Sequence, residues 1–351
     1  MSASELLSRL GIDNPLIQGP MGGGPSTPEL VAAVSNAGGL GSLGAAYLTP
    51  DQITDAIRKI RALTDRPFLV NLFAGGWTTK SPSEPSAMLE VLAGIHSKLG
   101  LPPPSMPGPS PDPFPGQMEA VLAARPPVFS FTFGIPDGDV IARLKSRSIT
   151  MIGTATTVEE GRLLEAAGVD AIVAQGAEAG AHRGTFAGPF ESSMIPTLAL
   201  VRGIAAATSV PVIASGGIMD GRDINAALHA GAAAVQMGTA FLASPESGAS
   251  PVHKEAILAA RSDSTVVTRV FSGRPARGLV NQFIAALRGR EEIILPYPFQ
   301  NALTRPMRTA AAKQGIAGYL SLWAGQGVAR ARALPAGELA QRLLAEMEHA
   351  R

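Results

Sequence analysis

The sequence predicts an α/β fold, a closed (β/α)8 TIM barrel with a mostly helical cap domain inserted after the last strand. Eight apolar, strand-like runs occur within the first 240 residues, and most are separated by helix-like segments. Runs such as Pro211-Val212-Ile213-Ala214 lack period-two alternation, which indicates strands buried on both faces. Eight units over roughly 250 residues favour the barrel over an open sheet. The runs lie at residues 15–20, 40–46, 67–73, 128–134, 150–155, 171–176, 211–217 and 234–240.

Segments rich in alanine and leucine predict the helices between these runs. Several of them begin with Thr, Pro or Asp, which are typical first residues of helices. The segments are Pro28–Ala37, Pro50–Leu63, Asp137–Lys145, Val158–Ala167, Pro196–Ala207 and Asp220–His229. Strand and helix therefore alternate, as parallel strands joined by helical crossovers require.

The alternation stops after the eighth run, and this break predicts a second domain. Residues 245–327 do not continue the strand–helix rhythm, and a final helix is predicted at Leu334–His349. We therefore expect a barrel made of residues 1–244 and 328–351, and a mostly helical cap made of residues 245–327. An insertion at this place would overhang the carboxyl ends of the strands, where barrel enzymes build their active sites.

The segment Pro102–Pro115 differs in composition from the rest of the chain. It contains eight prolines, which exclude a helix because proline lacks the backbone N–H donor and fixes φ. We interpret it as a stiff surface excursion between two parts of the helical layer, in preference to a polyproline recognition motif.

Composition excludes several classes of function. The 351 residues carry 29 basic and 28 acidic side chains, so no broad electrostatic field is available for nucleic acid or an anionic membrane. The absence of cysteine excludes disulfides, thiolate nucleophiles and zinc–thiolate sites, and no metal-ligand spacing occurs among the histidines. The first ten residues include Glu5 and Arg9 and lack a continuous apolar run, so we expect a cytoplasmic protein without a membrane span.

The most informative segment is Gln175–Gly184, which follows the apolar run 171–176 and contains His182. A titratable imidazole flanked by glycines just past a strand's carboxyl end is a candidate acid, base or hydrogen-bond donor. For an isolated histidine, a capping or packing role is the more frequent explanation. The strand context favours the catalytic interpretation.

Two glycine-containing segments at the ends of the seventh and eighth runs predict a phosphate site. Ser215-Gly216-Gly217-Ile218 ends one run and Gln236-Met237-Gly238-Thr239 ends the next, as in barrels that hold a phosphate in these two loops. Glycine allows backbone N–H groups to approach an anion closely. By contrast, the G-x-G-x-x-G match at residues 39–44 follows a helix and enters a strand, so we reject it as a dinucleotide motif.

Uncharged polar side chains at other strand ends suit a heterocyclic ligand. Gln18 and Met21 follow the first run, Asn71 lies in the third and Gln175 ends the sixth. Amides both donate and accept hydrogen bonds without placing an ionised carboxylate against an electron-accepting ring, which fits the edge of a flavin. Each of these residues alone would also fit a satisfied core amide.

Several of these stretches together resemble nitronate monooxygenases, formerly called 2-nitropropane dioxygenases. The resemblance spans almost the whole chain. It rests on the stretches Asn14–Met21, Ala37–Gly41, Gln175–Gly184, Ser215–Ile218, Gln236–Ala240 and Ser321–Gln326. Glu-Ala-Gly-x-His alone also occurs in related flavin-dependent enoyl-acyl carrier protein reductases and NADH:quinone reductases, whereas the Trp-Ala-Gly-Gln segment favours nitronate monooxygenase.

The resemblance implies an FMN enzyme that oxidises alkyl nitronates, notably propionate 3-nitronate, with dioxygen to a carbonyl compound and nitrite. It implies His182 as the catalytic residue and no need for NAD(P)H. Ala181 stands where the motif usually has a second glycine. The residues expected at the cofactor are Met21, Asn71, Gln175, Gly180, Gly216, Gly217, Gln236, Met237, Gly238, Thr239, Trp323 and Gln326.

Three functions remain open from the sequence. The first is an FMN monooxygenase whose partners are a small nitronate and dioxygen. The second is an FMN-dependent reductase that takes hydride from NAD(P)H and acts on a quinone or enoyl thioester, because nicotinamide binding to such barrels has no short fingerprint. The third is a phosphate-ligand binding barrel without redox activity. The oligomeric state is not predicted.

Overall fold

The barrel strands form one parallel sheet. The computed structural model describes residues 3–350. Its strands are β1 (Leu16–Gln18), β2 (Gly41–Gly44), β3 (Phe68–Phe73), β4 (Val128–Thr132), β5 (Thr150–Ala155), β6 (Ala171–Gln175), β7 (Ala181–His182), β8 (Val212–Ser215), β9 (Ala234–Met237), β10 (Thr265–Thr268) and β11 (Ala276–Leu279). Eight strands pair in the order β1-β9-β8-β6-β5-β4-β3-β2, and a parallel bridge between Ile17 and Leu40 closes the ring. The predicted TIM barrel is confirmed, and each predicted run contains one barrel strand.

The helices surround this sheet. They are α1 (Ala3–Leu10), α2 (Pro28–Asn36), α3 (Pro50–Leu63), α4 (Ser86–Lys98), α5 (Phe114–Ala124), α6 (Gly138–Lys145), α7 (Val158–Ala166), α8 (Thr197–Ala207), α9 (Gly221–His229), α10 (Thr239–Leu242), α11 (Pro251–Leu258), α12 (Gln282–Ala286), α13 (Phe299–Lys313) and α14 (Ala336–His349). The six predicted helices correspond to α2, α3 and α6 to α9, and the predicted final helix corresponds to α14. Helix α3 begins with a capping box, because Thr49 accepts from the Gln52 N–H and the Gln52 side chain accepts from the Thr49 N–H.

Alternation along the strands places polar residues at one end of the barrel interior. In β3, Val70 and Leu72 pack in the core shared with the helices, whereas Leu69 belongs to a separate inner core. That inner core also contains Leu6 and Leu10 of α1, so α1 covers the amino ends of the strands. Period-two alternation therefore turns Asn71 into the barrel at the opposite, carboxyl end. The polar residues in the same inward register are Ser130, Thr132, Thr154, Gln175, Ser215 and Gln236.

A second hydrophobic core lies outside the barrel. It joins α11, α12 and α13 with β11, and it contains the fully buried Phe283 and Met307. Met88 and Leu92 of α4 are also fully buried in this core, so a helix from the connection between β3 and α5 packs with the segment 245–327. The segment also contains β10 and β11, which form an antiparallel three-stranded sheet with β7 of the barrel loop.

The Pro-rich segment is attached at both of its ends. The Trp77 indole donates to the Ser110 carbonyl at 2.8 Å, and the His96 ring nitrogen Nδ1 lies 2.7 Å from the Pro102 carbonyl. Helix α5 begins at Phe114 and includes Pro115 in its first turn. The prediction that no residue of 102–115 is helical is therefore wrong at this end, since proline is tolerated where the N–H has no helical partner.

Candidate active site

His182 lies in the loop after β6, and this loop is held by the side chain of Gln175. The Gln175 amide donates to the His182 carbonyl at 2.9 Å and accepts from the Gly184 N–H at 2.7 Å. Ala181 adopts φ +62°, the left-handed region that glycine occupies without strain. This conformation explains why the related motif usually has glycine at the position of Ala181.

Two buried charged residues hold the outer side of the same loop. The guanidinium of Arg183 donates to the Gln175 carbonyl at 3.0 Å and to the Ser193 carbonyl at 2.9 Å. The carboxylate of Glu160 is fully buried and accepts from the Ala187 N–H at 2.9 Å. Because the terminal guanidinium nitrogens of Arg183 and the carboxylate of Glu160 are paired inside the protein, both residues are assigned to holding the loop.

The cap contributes to the position of His182. Strand β7 pairs with β11, with Ala276 opposite His182 and Arg277 opposite Ala181. The His182 ring nitrogen Nε2 lies 2.8 Å from the Ser272 hydroxyl. The loop from the barrel and the strand from the cap therefore share one small sheet, which determines where the imidazole stands.

Aromatic rings surround the imidazole. The centroid of the His182 ring is 6.4 Å from Phe73, 6.0 Å from Phe133 and 5.6 Å from Trp323. Trp323 also contacts Phe271 of the second core, edge to face, at 5.6 Å. These rings exclude water from the side of the imidazole, so a bound substrate meets an apolar wall there.

Positive charge accumulates near His182 on the side of the cap. The Arg274 guanidinium lies 4.0 Å from the Phe133 ring centroid and 5.2 Å from that of Tyr297. Within residues 3–350, neither Arg274 nor Arg308 forms an ion pair with a carboxylate. Burial lowers the pKa of His182 to about 3, and the charges of Arg274 and Arg308 act in the same direction. The imidazole is therefore neutral at physiological pH.

Tyr47 and Tyr297 lie close to the same group of arginines. Burial raises the pKa of both hydroxyls, so each stays protonated and able to donate a hydrogen bond. The Tyr47 ring contacts Phe73 edge to face at 5.6 Å, and the Arg305 guanidinium lies 5.9 Å from the Tyr47 ring centroid. The cavity thus offers hydroxyl and guanidinium donors to an anion.

The barrel mouth beneath the cavity is lined by neutral polar groups. Asn71 donates to the Ser130 hydroxyl at 2.8 Å, and the two residues are register partners across β3 and β4. Gln236 donates weakly to the Ser215 hydroxyl at 3.4 Å. Among the described residues the side-chain oxygen of Asn71 accepts no hydrogen bond. It is not one of the fully buried polar atoms that lack a partner. A carbonyl acceptor is therefore left free at the mouth.

The two predicted phosphate loops are neighbours in space, because β8 pairs with β9. Gly216 and Gly217 adopt φ +134° and +72°, which favours glycine at both positions. A Cβ at Gly238 would meet no protein atom within 4 Å. The backbone of Gly238 therefore faces open space.

The segment around Trp323 crosses the loops that follow β6, β8 and β9. A Cβ at Gly180 would lie 2.6 Å from the Gly325 nitrogen, so the two backbones are in direct contact. The Gly325 N–H donates to the Thr239 hydroxyl and the Gln326 N–H to the Glu178 carbonyl, both at 2.9 Å. A Cβ at Gly327 would lie 2.8 Å from the Gly217 carbonyl, so this segment brings Gly180, Gly217 and Thr239 together.

Some sequence-predicted residues are placed differently. Met237 is 1% exposed and packs in the core between the barrel and the helices, so its side chain points away from the mouth. Met21 is partly buried where both cores meet. Gln18 is the register partner of Met237, and its side-chain oxygen accepts from the Ser42 N–H at 2.9 Å. The side chain of Gln326 is exposed.

Sequence reasoning missed the residues that the cap and the fourth strand contribute: Ser272, Arg274, Arg308 and Phe133. The backbone of Phe133 has φ +74°, and its ring contacts those of Phe73 and His182. One signal was available, since Phe133-Gly134 directly follows a strand. The segment Ser272-Gly273-Arg274 lacked any pattern that related it to His182.

Comparison with known proteins agrees with this geometry. A sequence model described as nitronate monooxygenase matches residues 4–346. The chain belongs to the nitronate monooxygenase family. A nitronate monooxygenase from Pseudomonas aeruginosa is 46% identical over 344 residues, which cover 96% of this chain and 97% of that protein. Members of the nitronate monooxygenase family are flavin-dependent oxidoreductases.

Solved structures extend the comparison. A nitroalkane oxidase from Streptomyces ansochromogenes superposes with a TM-score of 0.91, is 44% identical and covers 99% of both chains. FabK from Thermotoga maritima superposes with a TM-score of 0.77 at 31% identity, with coverage of 98% of this chain and 96% of that one. Among the described residues, no helix is long and apolar enough to cross a membrane. In the same part of the chain no group of three or more His, Asp or Glu is suited to hold a metal ion.

Proposed function

We propose that this protein oxidises alkyl nitronates with dioxygen to carbonyl compounds and nitrite, and that FMN is its flavin. The observation that carries the proposal is the set of side chains around His182 at the barrel mouth. A neutral imidazole stands there among aromatic rings, opposite guanidinium groups without carboxylate partners. Such surroundings favour a small anion whose reactive carbon is kept away from water.

The residues at the mouth fit a flavin mononucleotide. The open space beside Gly238, next to Gly216 and Gly217, suits a phosphate, and the family resemblance suggests the same position. Asn71 and Gln236 offer uncharged groups to the edge of a ring. When bound there, the flavin supplies the electron transfer between the organic substrate and dioxygen.

The cavity residues take two kinds of role in this proposal. Arg274 and Arg308 hold the negatively charged nitro oxygens of a nitronate, assisted by the protonated hydroxyls of Tyr47 and Tyr297. His182, which is neutral, accepts the proton from the carbon next to the nitro group when the substrate enters as a neutral nitroalkane. A nitronate has already lost that proton, so it depends on His182 only for orientation.

Oxygen uptake and nitrite release test this function. With purified flavoprotein and propionate 3-nitronate or a simple alkyl nitronate, we expect both to occur without NADH and to be unchanged when NADH is added. Uptake that requires NADH, or quinone reduction by NADH without nitrite release, would favour the reductase instead. A colourless protein after gentle purification would contradict both the monooxygenase and the reductase function, because each requires a flavin.

The identity of the flavin is measured separately. Denaturing the yellow protein releases its non-covalent cofactor, and chromatography against FMN and FAD standards identifies it. We expect FMN. Recovery of FAD alone would contradict the proposal, because the open space described beside Gly238 is assigned to a terminal phosphate.

A further inference from the structure

Ser272 is a cap residue that reaches the imidazole of a barrel loop. Its side chain is 1% exposed, and its hydroxyl lies 2.8 Å from the His182 nitrogen Nε2. The contact is set by the backbone, since the Arg183 N–H donates to the Pro275 carbonyl at 2.9 Å and Ala276 pairs with His182. Ser272 therefore has a defined position relative to the ring.

The hydrogen-bond capacity of this hydroxyl decides which ring nitrogen carries the proton. Besides His182, the Ser272 oxygen lies 3.1 Å from the Arg274 carbonyl and 3.2 Å from the Arg274 backbone nitrogen. A hydroxyl has one proton and accepts two hydrogen bonds. The carbonyl can only accept, so it takes the Ser272 proton, and the Arg274 N–H donates to one lone pair. The remaining lone pair is then free to accept a hydrogen bond, which the Nε2–H group of His182 would donate across 2.8 Å.

We propose that Ser272 is a positioning residue that holds His182 in the tautomer with the proton on Nε2 and the lone pair of Nδ1 open to the cavity. Among the described residues Nδ1 has no hydrogen-bond partner, and it is not one of the fully buried unpaired atoms. Nδ1 is thus the atom that accepts the substrate proton. The role of Nδ1 as proton acceptor rests on the proposed function, whereas the tautomer itself does not.

The tautomer is measured directly by nitrogen-15 NMR of histidine-labelled holoprotein, which separates protonated from unprotonated ring nitrogens. The chain has five histidines, and comparison with His182→Gln assigns the signals of His182. We expect a protonated, slowly exchanging Nε2 and an unprotonated Nδ1. A protonated Nδ1 in the native protein would overturn the proposal.

Ser272→Ala tests whether the serine causes this state. We expect exchange of the Nε2 proton to accelerate roughly 5- to 10-fold, as loss of one hydrogen bond implies, and Ser272→Thr to restore slow exchange. Ser244→Ala is the matched control, because the Ser244 hydroxyl is equally buried and has no partner in the described residues. An Nε2 signal unchanged in Ser272→Ala would overturn the proposal.

Kinetics separate positioning from general damage. In Ser272→Ala we expect kcat for a neutral nitroalkane to fall by roughly tenfold or more at similar KM and flavin content, with recovery in Ser272→Thr. Unchanged kcat in Ser272→Ala would remove the kinetic role. If the native protein oxidises neither nitroalkane nor nitronate while the tautomer signals behave as expected, the proposed function fails and the tautomer assignment stands.

Discussion

At the residue scale, His182 connects four parts of the chain. Gln175 of β6 donates a hydrogen bond to its backbone carbonyl, and Ser272 of the cap is hydrogen-bonded to its ring. The rings of Phe133 and Trp323 lie beside it. Burial and nearby guanidinium charge make the neutral form dominant. A neutral imidazole has a lone pair that can accept a proton, although the low pKa makes it a weak base, and it does not supply a permanent positive charge to an anion.

His182→Asn should separate the two substrate forms. Asparagine keeps a polar side chain but does not accept a proton near neutral pH, so turnover of neutral nitroalkane should fall roughly 10²- to 10⁴-fold. The turnover of a nitronate should fall less, because the nitronate is already deprotonated. The measurement is initial oxygen uptake with each form at matched flavin content. Equal losses for both forms would assign His182 to orientation alone, and native rates for both would remove it from the mechanism.

Ala181→Gly should stabilise the protein by about 0.5–1 kcal/mol. The left-handed backbone at Ala181 is strained for alanine, and glycine relieves more strain than it adds in unfolded-chain entropy. The measurement is the free energy of unfolding in urea with FMN present. Ala179→Gly, two residues earlier and without positive φ, is the control and should destabilise. Destabilisation by Ala181→Gly would contradict the stated cause.

At the element scale, the loops after β8 and β9 carry the phosphate prediction. Gly238→Asp should abolish flavin binding, because its carboxylate would enter the open space and repel a phosphate in a poorly screened site. The fold should survive, since a Cβ at Gly238 meets no protein atom within 4 Å. Flavin absorbance per protein after gentle purification is the measurement. Gly94→Asp, at an exposed glycine with equally free space on α4, should keep full flavin content.

The boundaries of the cap also depend on how secondary-structure elements pack. The division into a barrel of residues 1–244 and 328–351 and a cap of residues 245–327 stays a prediction. Its packing shows one feature that the sequence boundaries did not include, because Met88 and Leu92 of α4 lie in the same core as α13. Amphipathic character reveals that α4 has a buried face, but it does not identify the element that covers that face.

At the scale of the whole molecule, acid should destabilise the protein through its buried histidines. Burial lowers the pKa of His182 to about 3 and that of His253 to about 4. The unfolded chain binds a proton on each near pH 6.5, so it holds more protons than the native state below that pH. Stability is therefore full above pH 6.5 and declines as pH falls towards the folded values. By pH 5 each histidine should cost about 2 kcal/mol.

His253→Gln tests this account away from the catalytic histidine. The difference in unfolding free energy between pH 7 and pH 5 should shrink by about 2 kcal/mol in the variant, because the titrating group is gone. Urea unfolding at both pH values with saturating FMN is the measurement. Glutamine retains a donor for the Trp323 carbonyl, which lies 3.3 Å from the His253 ring nitrogen. An unchanged difference would show that His253 is not the source of the pH dependence.

The sequence by itself determined the barrel, the order of its strands and helices, and the position of His182 at a strand's carboxyl end. These features are local: apolar runs such as 171–176 and caps such as Thr49 act over a few residues. The two glycine loops could be predicted as neighbours because consecutive strands of a parallel barrel pair. Strands β7, β10 and β11 and the helices α1, α4, α5 and α10 to α13 were not predicted individually.

The tertiary structure alone decided which side chains meet His182. Ser272 is 90 residues away along the chain, and its approach depends on pairing between β7 and β11. Arg274 reaches the cavity through the same pairing, and Phe133 through a strained backbone. Contacts of this kind arise from packing between distant elements, which no local periodicity encodes, so the chemical environment of the imidazole becomes visible only in the folded chain.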